Sequence, residues 1–354
     1  AEAAAGAAAW LENLKATATD DFALGEDTFL RMLKATEGVD ITMADLKMAG
    51  VLNLEQNLNQ LYEACAEFAP GASTKDCVLK VQGRKPPEGA VGGATRQLPE
   101  LRKFLVDNNL VSIPGTENAL VDTSPPHKRF NSAYIEIPGP FESGLSSVYY
   151  ISPPDPTWSE EDQAAYVPGE TELQSTSVHE VWPGHFLQFL HANRAANNVG
   201  QHFSTYSFVE GWAHYTEQMV LDAGLKDGDP EYQIGQLLKA LLRNVRYLSA
   251  IGLHAEGMTV EQSQTLFEEK AFRDFGNASQ QALRGTYDPG YLNYTLGKLM
   301  INKLRSDWAA GRGGEAAWGQ FHDEFLGFGS PPIPLIRELM LDEDYVGDEA
   351  LLPH

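Results

Sequence analysis

The sequence predicts a mainly α-helical fold of the α+β kind, with a small antiparallel sheet ahead of a long helical stretch. Three observations carry that expectation. Apolar residues recur near helical spacing, as in Leu46, Met48, Val51, Leu54, Leu58, Leu61 and Tyr62. Nine prolines fall between Val111 and Pro168, where short β-type runs replace the helical period. From Glu172 onward, Gly and Pro punctuate a series of helix-length segments.

Taken in order, Ala7–Ala18 reads as a helix, and Gly25-Glu26-Asp27 as a turn into a helix through Lys34. Thr42 is a candidate N-cap for the stretch to Phe68, because its hydroxyl can accept from an unpaired N–H of the first turn. Gly83–Gly93, rich in Pro and Gly, predicts a loop, and Leu98–Val106 a short helix. Ser132–Ile137 and Ser147–Ile151 are the candidate antiparallel strands. Helices are then expected over Glu172–Trp182, Phe186–Ala195, Ser204–Leu225, Tyr232–Ala255, Val260–Phe275, Tyr291–Ala310, Glu315–Leu326 and Leu335–Leu341. The chain thus divides into a helical segment 1–110, a Pro-rich β segment 111–170 and a helical segment 171–354; the three can equally form one continuous unit.

Composition narrows the function. The 354 residues carry 26 Lys+Arg against 49 Asp+Glu, a net charge of −23. Such a surface repels phosphate, which argues against nucleic acid and anionic lipid as partners. With 43% hydrophobic residues the chain can build a large core, and it has no apolar run long enough for a transmembrane helix. The start, AEAAAGAAAW, has neither an initiator Met nor a basic region before an apolar one, so a processing boundary with a further segment upstream is expected. Cys65 and Cys77 lie twelve apart across a Pro-Gly turn. They can pair in an exported protein or remain thiols in a reducing one, and spacing alone leaves both open.

The chemistry concentrates in His179-Glu180-Val181-Trp182-Pro183-Gly184-His185 and Glu210-Gly211-Trp212-Ala213-His214-Tyr215. Two histidines with a carboxylate beside the first are the donor set of a mononuclear zinc hydrolase, with that carboxylate as general base. The usual spacing of four puts both rings on one helix face. Here the spacing is six, which on a regular helix turns them roughly 120° apart. Pro183 has no N–H for the carbonyl four residues back, and Gly184 tolerates unusual dihedrals. A two-residue bulge would bring His185 back beside His179. Glu210, on a helix of its own in an apolar setting, is the candidate third ligand, leaving one position open for water.

At these residues the chain resembles the bacterial domain-of-unknown-function 885 family. HEVWPGHFLQ and FVEGWAHYTEQM are similar to its HExxPGHHLQ and EGWALYxE signatures. The likeness extends through ALGEDTFLRML (Ala23–Leu33), GLHAEGMTVEQS (Gly252–Ser263), RGTYDPGYLNYTLGKL (Arg284–Leu299) and FHDEFLGFG (Phe321–Gly329), from about Phe22 to the C-terminus. Phe186 departs from the pattern, where the family often has a second His. The resemblance implies a helical zincin-like fold related to thermolysin-clan peptidases such as thimet oligopeptidase and carboxypeptidase Taq. Family members are often exported or lipoprotein-like and typically longer, so this chain resembles their C-terminal part. Carried over by position, it implies one Zn2+ per chain on His179, His185 and Glu210, with Glu180 as base. His254, Arg284, Tyr287 and Tyr294 fall in matched segments as candidate oxyanion donors or substrate anchors.

The leading expectation is a zinc metallopeptidase acting on short peptides, with Ser147–Ile151 as an edge strand that aligns an extended substrate. Two others stand beside it: a non-catalytic binding protein on the same scaffold, and a hydrolase of other small amides. Arg243 and Arg246 are expected to neutralise acidic neighbours, and Trp182, Phe186, Phe189, Phe208 and Trp212 to pack around the chemistry-bearing helices.

Overall fold

The computed structural model describes residues 2–129, 131–341 and 350–353. Helices dominate it. The N-terminal third holds α1 (Glu2–Leu14), α2 (Glu26–Glu37), α3 (Met43–Phe68), α4 (Thr74–Gln82) and α5 (Gly89–Asp107). Thr42 caps α3 by accepting from the Asp45 N–H, as its position predicts. Helix α4 was not expected; Ser73 caps it by the same device. Nor is Gly83–Gly93 all loop, since α5 begins at Gly89 and runs through Pro99. Pro and Gly tolerate a helix here because Leu98, Leu101 and Leu105 bury against the core, and tertiary packing outweighs propensity.

The Pro-rich segment forms β1 (Ala119–Thr123), β2 (Ala133–Glu136) and β3 (Ser147–Ile151), followed by α6 (Glu160–Tyr166). The sheet is mixed and not purely antiparallel. Its order is β1-β3-β2, with β1 parallel and β2 antiparallel to β3. The expectation that β3 is an edge strand is therefore wrong: its backbone is paired on both sides, and the edges are β1 and β2. The alternation in β3 still shows, with Ser147, Tyr149 and Ile151 on the buried face.

The rest comprises α7 (Glu170–Glu180), α8 (His185–Ala192), α9 (Asn198–His202), α10 (Tyr206–Asp222), α11 (Pro230–Ala255), α12 (Val260–Lys270), α13 (Phe275–Tyr287), α14 (Asn293–Ala309), α15 (Trp318–Gly327) and α16 (Ile333–Met340). Helices α6, α9 and α13 were not expected from periodicity. One apolar cluster runs from Phe29 through Leu101, Tyr149, Trp182 and Phe208 to Ile336, and so draws on all three sequence segments. A second lies between α3, α4, α11, α12 and α13. It contains Cys65 and Cys77, which form a disulfide with Cα atoms 5.8 Å apart.

Two packing details position the site. Helix α11 meets α3 through a buried amide chain, Asn57 Nδ2 donating to Asn244 Oδ1 at 2.6 Å and Asn244 Nδ2 to Asn53 Oδ1 at 2.8 Å. Helices α10 and α14 approach through Gly211 and Gly297. A Cβ on Gly297 would lie 1.9 Å from the Ser207 carbonyl oxygen, so only glycine permits this contact. No described helix is long and apolar enough to cross a membrane.

Candidate metal centre

Helix α7 ends at Glu180, delivering His179 and Glu180 from its last turn. Val181 leaves the helical region at φ −125°, ψ −72°. The Trp182–Pro183 bond is cis, and Gly184, at φ −69°, ψ −133°, leads into α8 at His185. A Cβ on Gly184 would fall 1.8 Å from the His179 carbonyl oxygen. The Gly184 N–H donates to the Val178 carbonyl at 2.9 Å, and the Trp212 indole N–H donates to the Pro183 carbonyl at 2.8 Å, pinning the break against α10. The chain thus interrupts the helix where Pro183-Gly184 predicts. The two imidazoles meet, ring centroids 4.7 Å apart at 83°.

Glu210, from the first turns of α10, completes the group. Its Oε2 lies 3.3 Å from His179 Nε2 and 3.4 Å from His185 Nε2. Donors held at ~2.0–2.1 Å from the centre of a tetrahedron sit about 3.3–3.4 Å from one another. Yet Glu210 Oε2 is buried and makes no well-aligned hydrogen bond, and His185 Nδ1 is also without a partner. The arrangement is that of atoms aimed at a shared point rather than at each other. All three donor atoms lie within 4.8 Å of one another, so His179, His185 and Glu210 can hold a metal ion.

Behind this group stands Glu217, which sequence reasoning did not single out. It lies on α10 two turns after Glu210 and is fully buried. His179 Nδ1 is 2.7 Å from Glu217 Oε1, and Arg243 Nη2 of α11 is 2.9 Å from the same oxygen. The expectation that Arg243 neutralises an acidic neighbour describes its position. His214 Nδ1 and Ser175 Oγ lie 3.4 Å from the other oxygen. Two signals in the sequence could have found Glu217: its spacing of seven from Glu210 on one helix, and its match to the closing Glu of the EGWALYxE signature.

Electrostatics agree. Burial lowers the His179 pKa, but Glu210 and Glu217 outweigh it and raise the value to about 9. Burial would raise Glu210, yet the His185 and His179 imidazoles hold it well below the usual carboxylate range. Burial likewise opposes ionisation of Glu217, and Arg243 holds it ionised. A pocket that attracts a proton between two imidazoles and a carboxylate attracts a cation for the same reason.

The group opens into a cavity of about 2200 Å³. Glu180, largely buried, lines it beside the histidines. Tyr294 of α14 also lines it, its ring stacked on His179 at 6.4 Å, and burial raises its phenol pKa. The other candidates are placed differently. His254 does not line the cavity: it is packed between Phe22 and Phe29, and its Nε2 donates to the Gly285 carbonyl at 2.8 Å. Arg284 reaches the cavity wall but is engaged by Asp288 at 3.1 Å and by the Tyr206 hydroxyl at 3.2 Å. Tyr287 lies at the rim, 75% exposed. Phe186 is buried edge-on against Trp182 at 4.9 Å, so the departure from the family pattern fills core space. Of the expected aromatic core set only Phe189 faces the cavity.

The chain belongs to the family described as bacterial protein of unknown function (DUF885), whose model matches residues 1–340. It is similar to a solved structure described as "a putative lipoprotein of unknown function from Shewanella oneidensis", at 25% identity and a TM-score of 0.82. That match covers 94% of this chain and 63% of the other. It shares its fold with a structure described as "the putative lipoprotein from Colwellia psychrerythraea", at 19% identity and a TM-score of 0.79, covering 92% of this chain and 57% of the other. The chain therefore spans less than two thirds of either structure. A comparison with curated proteins finds no match.

Proposed function

We propose that this DUF885-family chain is the metal-bearing part of a zinc-dependent metallopeptidase that hydrolyses short peptides on a zincin-like helical scaffold. The convergence of His179, His185 and Glu210, with Glu210 Oε2 3.3 and 3.4 Å from the two imidazole nitrogens and Glu180 lining the same large cavity, carries the reading. Two neutral imidazoles and one carboxylate suit zinc and leave a coordination position free. When bound, zinc would polarise the scissile carbonyl and acidify the attacking water.

The chain's own residues supply the rest. The Glu217 carboxylate takes the His179 Nδ1–H hydrogen bond, which fixes the tautomer and leaves Nε2 free to ligate. Glu180 takes the proton of the attacking water and passes it to the leaving amine. The Tyr294 hydroxyl donates to the carbonyl oxygen as negative charge develops there. Strand β2 lines the cavity and is an edge of the sheet, so it replaces β3 as the strand that aligns an extended backbone. The disulfide and the lipoprotein descriptions of the similar structures support an exported location.

The test is metal analysis joined to one variant. Metal-replete protein should hold one zinc per chain and lose it in Glu210→Ala. Glu180→Gln should keep the zinc while hydrolysis of a short-peptide library by the full-length protein falls by roughly 10²–10⁴-fold. Equal activity of wild type and Glu180→Gln would end the peptidase reading.

A further inference from the structure

Four arginines line the cavity: Arg243, Arg246, Arg273 and Arg284. Three have an acid: Arg243 has Glu217 at 2.9 Å, Arg273 has Glu172 at 3.3 Å and Arg284 has Asp288 at 3.1 Å. Among the described residues, Arg246 forms no such ion pair. Its Nε donates to Gln281 Oε1 at 2.9 Å, and its guanidinium lies over the rings of Tyr291 at 4.6 Å and Tyr294 at 4.9 Å. The Tyr291 hydroxyl donates to the same Gln281 oxygen, so amide and ring together fix the guanidinium plane. Anchoring through Nε leaves the two terminal nitrogens as a fork. A half-buried cation held by neutral partners only, in a chain of net charge −23, has its counter-charge still to come.

We propose that Arg246 binds a carboxylate of the substrate, a peptide C-terminus or an acidic side chain close to the bond at the metal centre. The inference rests on the peptidase reading for its substrate class. Guanidinium and His179 ring are both measured from Tyr294, at 4.9 Å and 6.4 Å. The two separations laid end to end are the reach of about three extended residues at ~3.3–3.6 Å each. The cavity thus selects peptides whose carboxylate lies within that distance of the scissile bond. A planar fork matches a carboxylate with two parallel hydrogen bonds. Lys239, two turns earlier on α11, also faces the cavity, but it already lies in the field of Glu172.

The test is calorimetric binding of N-acetyl-trialanine, its C-terminal amide, and N-acetyl-Ala-Glu-Ala-amide to protein carrying Glu180→Gln, so that the peptides persist. The free acid should bind roughly 10- to 100-fold more tightly than the trialanine amide, the range for hydrogen bonds to a charged group. Adding Arg246→Gln should bring acid and amide together, and Arg246→Lys should restore part of the difference, which also controls for folding. Tight binding of the Glu-containing amide, lost in Arg246→Gln, identifies the side-chain carboxylate as the source. Equal binding of acid and both amides, or none, overturns the proposal. So does a preference that survives Arg246→Gln and vanishes in Lys239→Gln. An inactive wild type that still prefers the acid removes the peptidase reading and leaves the carboxylate site standing.

Discussion

Glu217 Oε1 lies 2.7 Å from His179 Nδ1, two helical turns beyond the Glu210 carboxylate that faces the other nitrogen of the same ring. One helix therefore grips both sides of one imidazole. Removing the charge of Glu217 would loosen the ring and strand Arg243, whose side chain is 8% exposed. In Glu217→Gln we expect zinc affinity to fall about 10- to 100-fold. Stability should fall by about 3–5 kcal/mol, the cost of breaking a buried pair. Zinc titration against a competing chelator and urea unfolding measure the two effects. Unchanged zinc affinity would show that Glu217 does not orient His179.

Gly297 sets how closely α14 approaches α10, and so where Tyr294 stands relative to Glu210. Gly297→Ala places a methyl 1.9 Å from the Ser207 carbonyl oxygen, which belongs to backbone and cannot rotate away. The helices must separate. The expected cost is at least about 1–3 kcal/mol of stability, with weaker metal binding. A thermal midpoint and zinc affinity equal to wild type would mean that the contact is looser than described.

His322 provides a pH prediction away from the metal group. Its Nδ1 donates to the Leu110 carbonyl at 2.6 Å, and its Nε2 accepts from the Tyr215 hydroxyl at 2.6 Å, so the ring is neutral. Burial pushes its pKa down from 6.5 to about 3. Between those values the unfolded chain takes up a proton that the folded one refuses. Stability therefore falls as pH drops through that window, by up to about 1.4 kcal/mol per pH unit from this residue. His322→Gln should flatten the acid limb of a stability–pH curve between pH 6.5 and about 3, whatever it does at neutral pH. Parallel curves for the two proteins would refute this.

The Cys65–Cys77 disulfide closes a short loop, at a sequence separation of 12, between α3 and α4 inside the second apolar cluster. Loop-closure entropy for that length corresponds to about 3 kcal/mol. Urea unfolding of the Cys65→Ser/Cys77→Ser protein should show a loss of that order. A midpoint unmoved by the substitutions would indicate that α3 and α4 are held by packing alone.

The residues around His179 were legible because their signal is local. A proline without an N–H and a glycine free to take unusual dihedrals point to a helix break from the sequence itself, and the break turns a spacing of six into a converging pair. The ladder of apolar residues in α3 and its Thr42 cap were legible for the same reason. Helices α4 and α13 were not: α4 has only nine residues, and α13 carries Gly276 and Gly285, which weaken the helical signal until packing decides.

The sequence by itself thus determined the helical character of the chain, the break at Pro183-Gly184 and the donor types available for a metal. Only the tertiary structure decided which groups surround those donors. Glu217 and Arg243, on different helices, meet His179 because α7, α10 and α11 pack together. His254, in a matching segment, turns instead to the Gly285 carbonyl. Strand β3 became central because β1, separated from it by more than twenty residues, returned to pair in parallel. Among the described residues, Arg246 was left without an acid while its neighbours on the cavity wall found theirs. The physical reason is common to all four. Hydrogen bonds and ion pairs act over a few ångströms in space, and distance in space between residues far apart along the chain is set by packing and not by spacing.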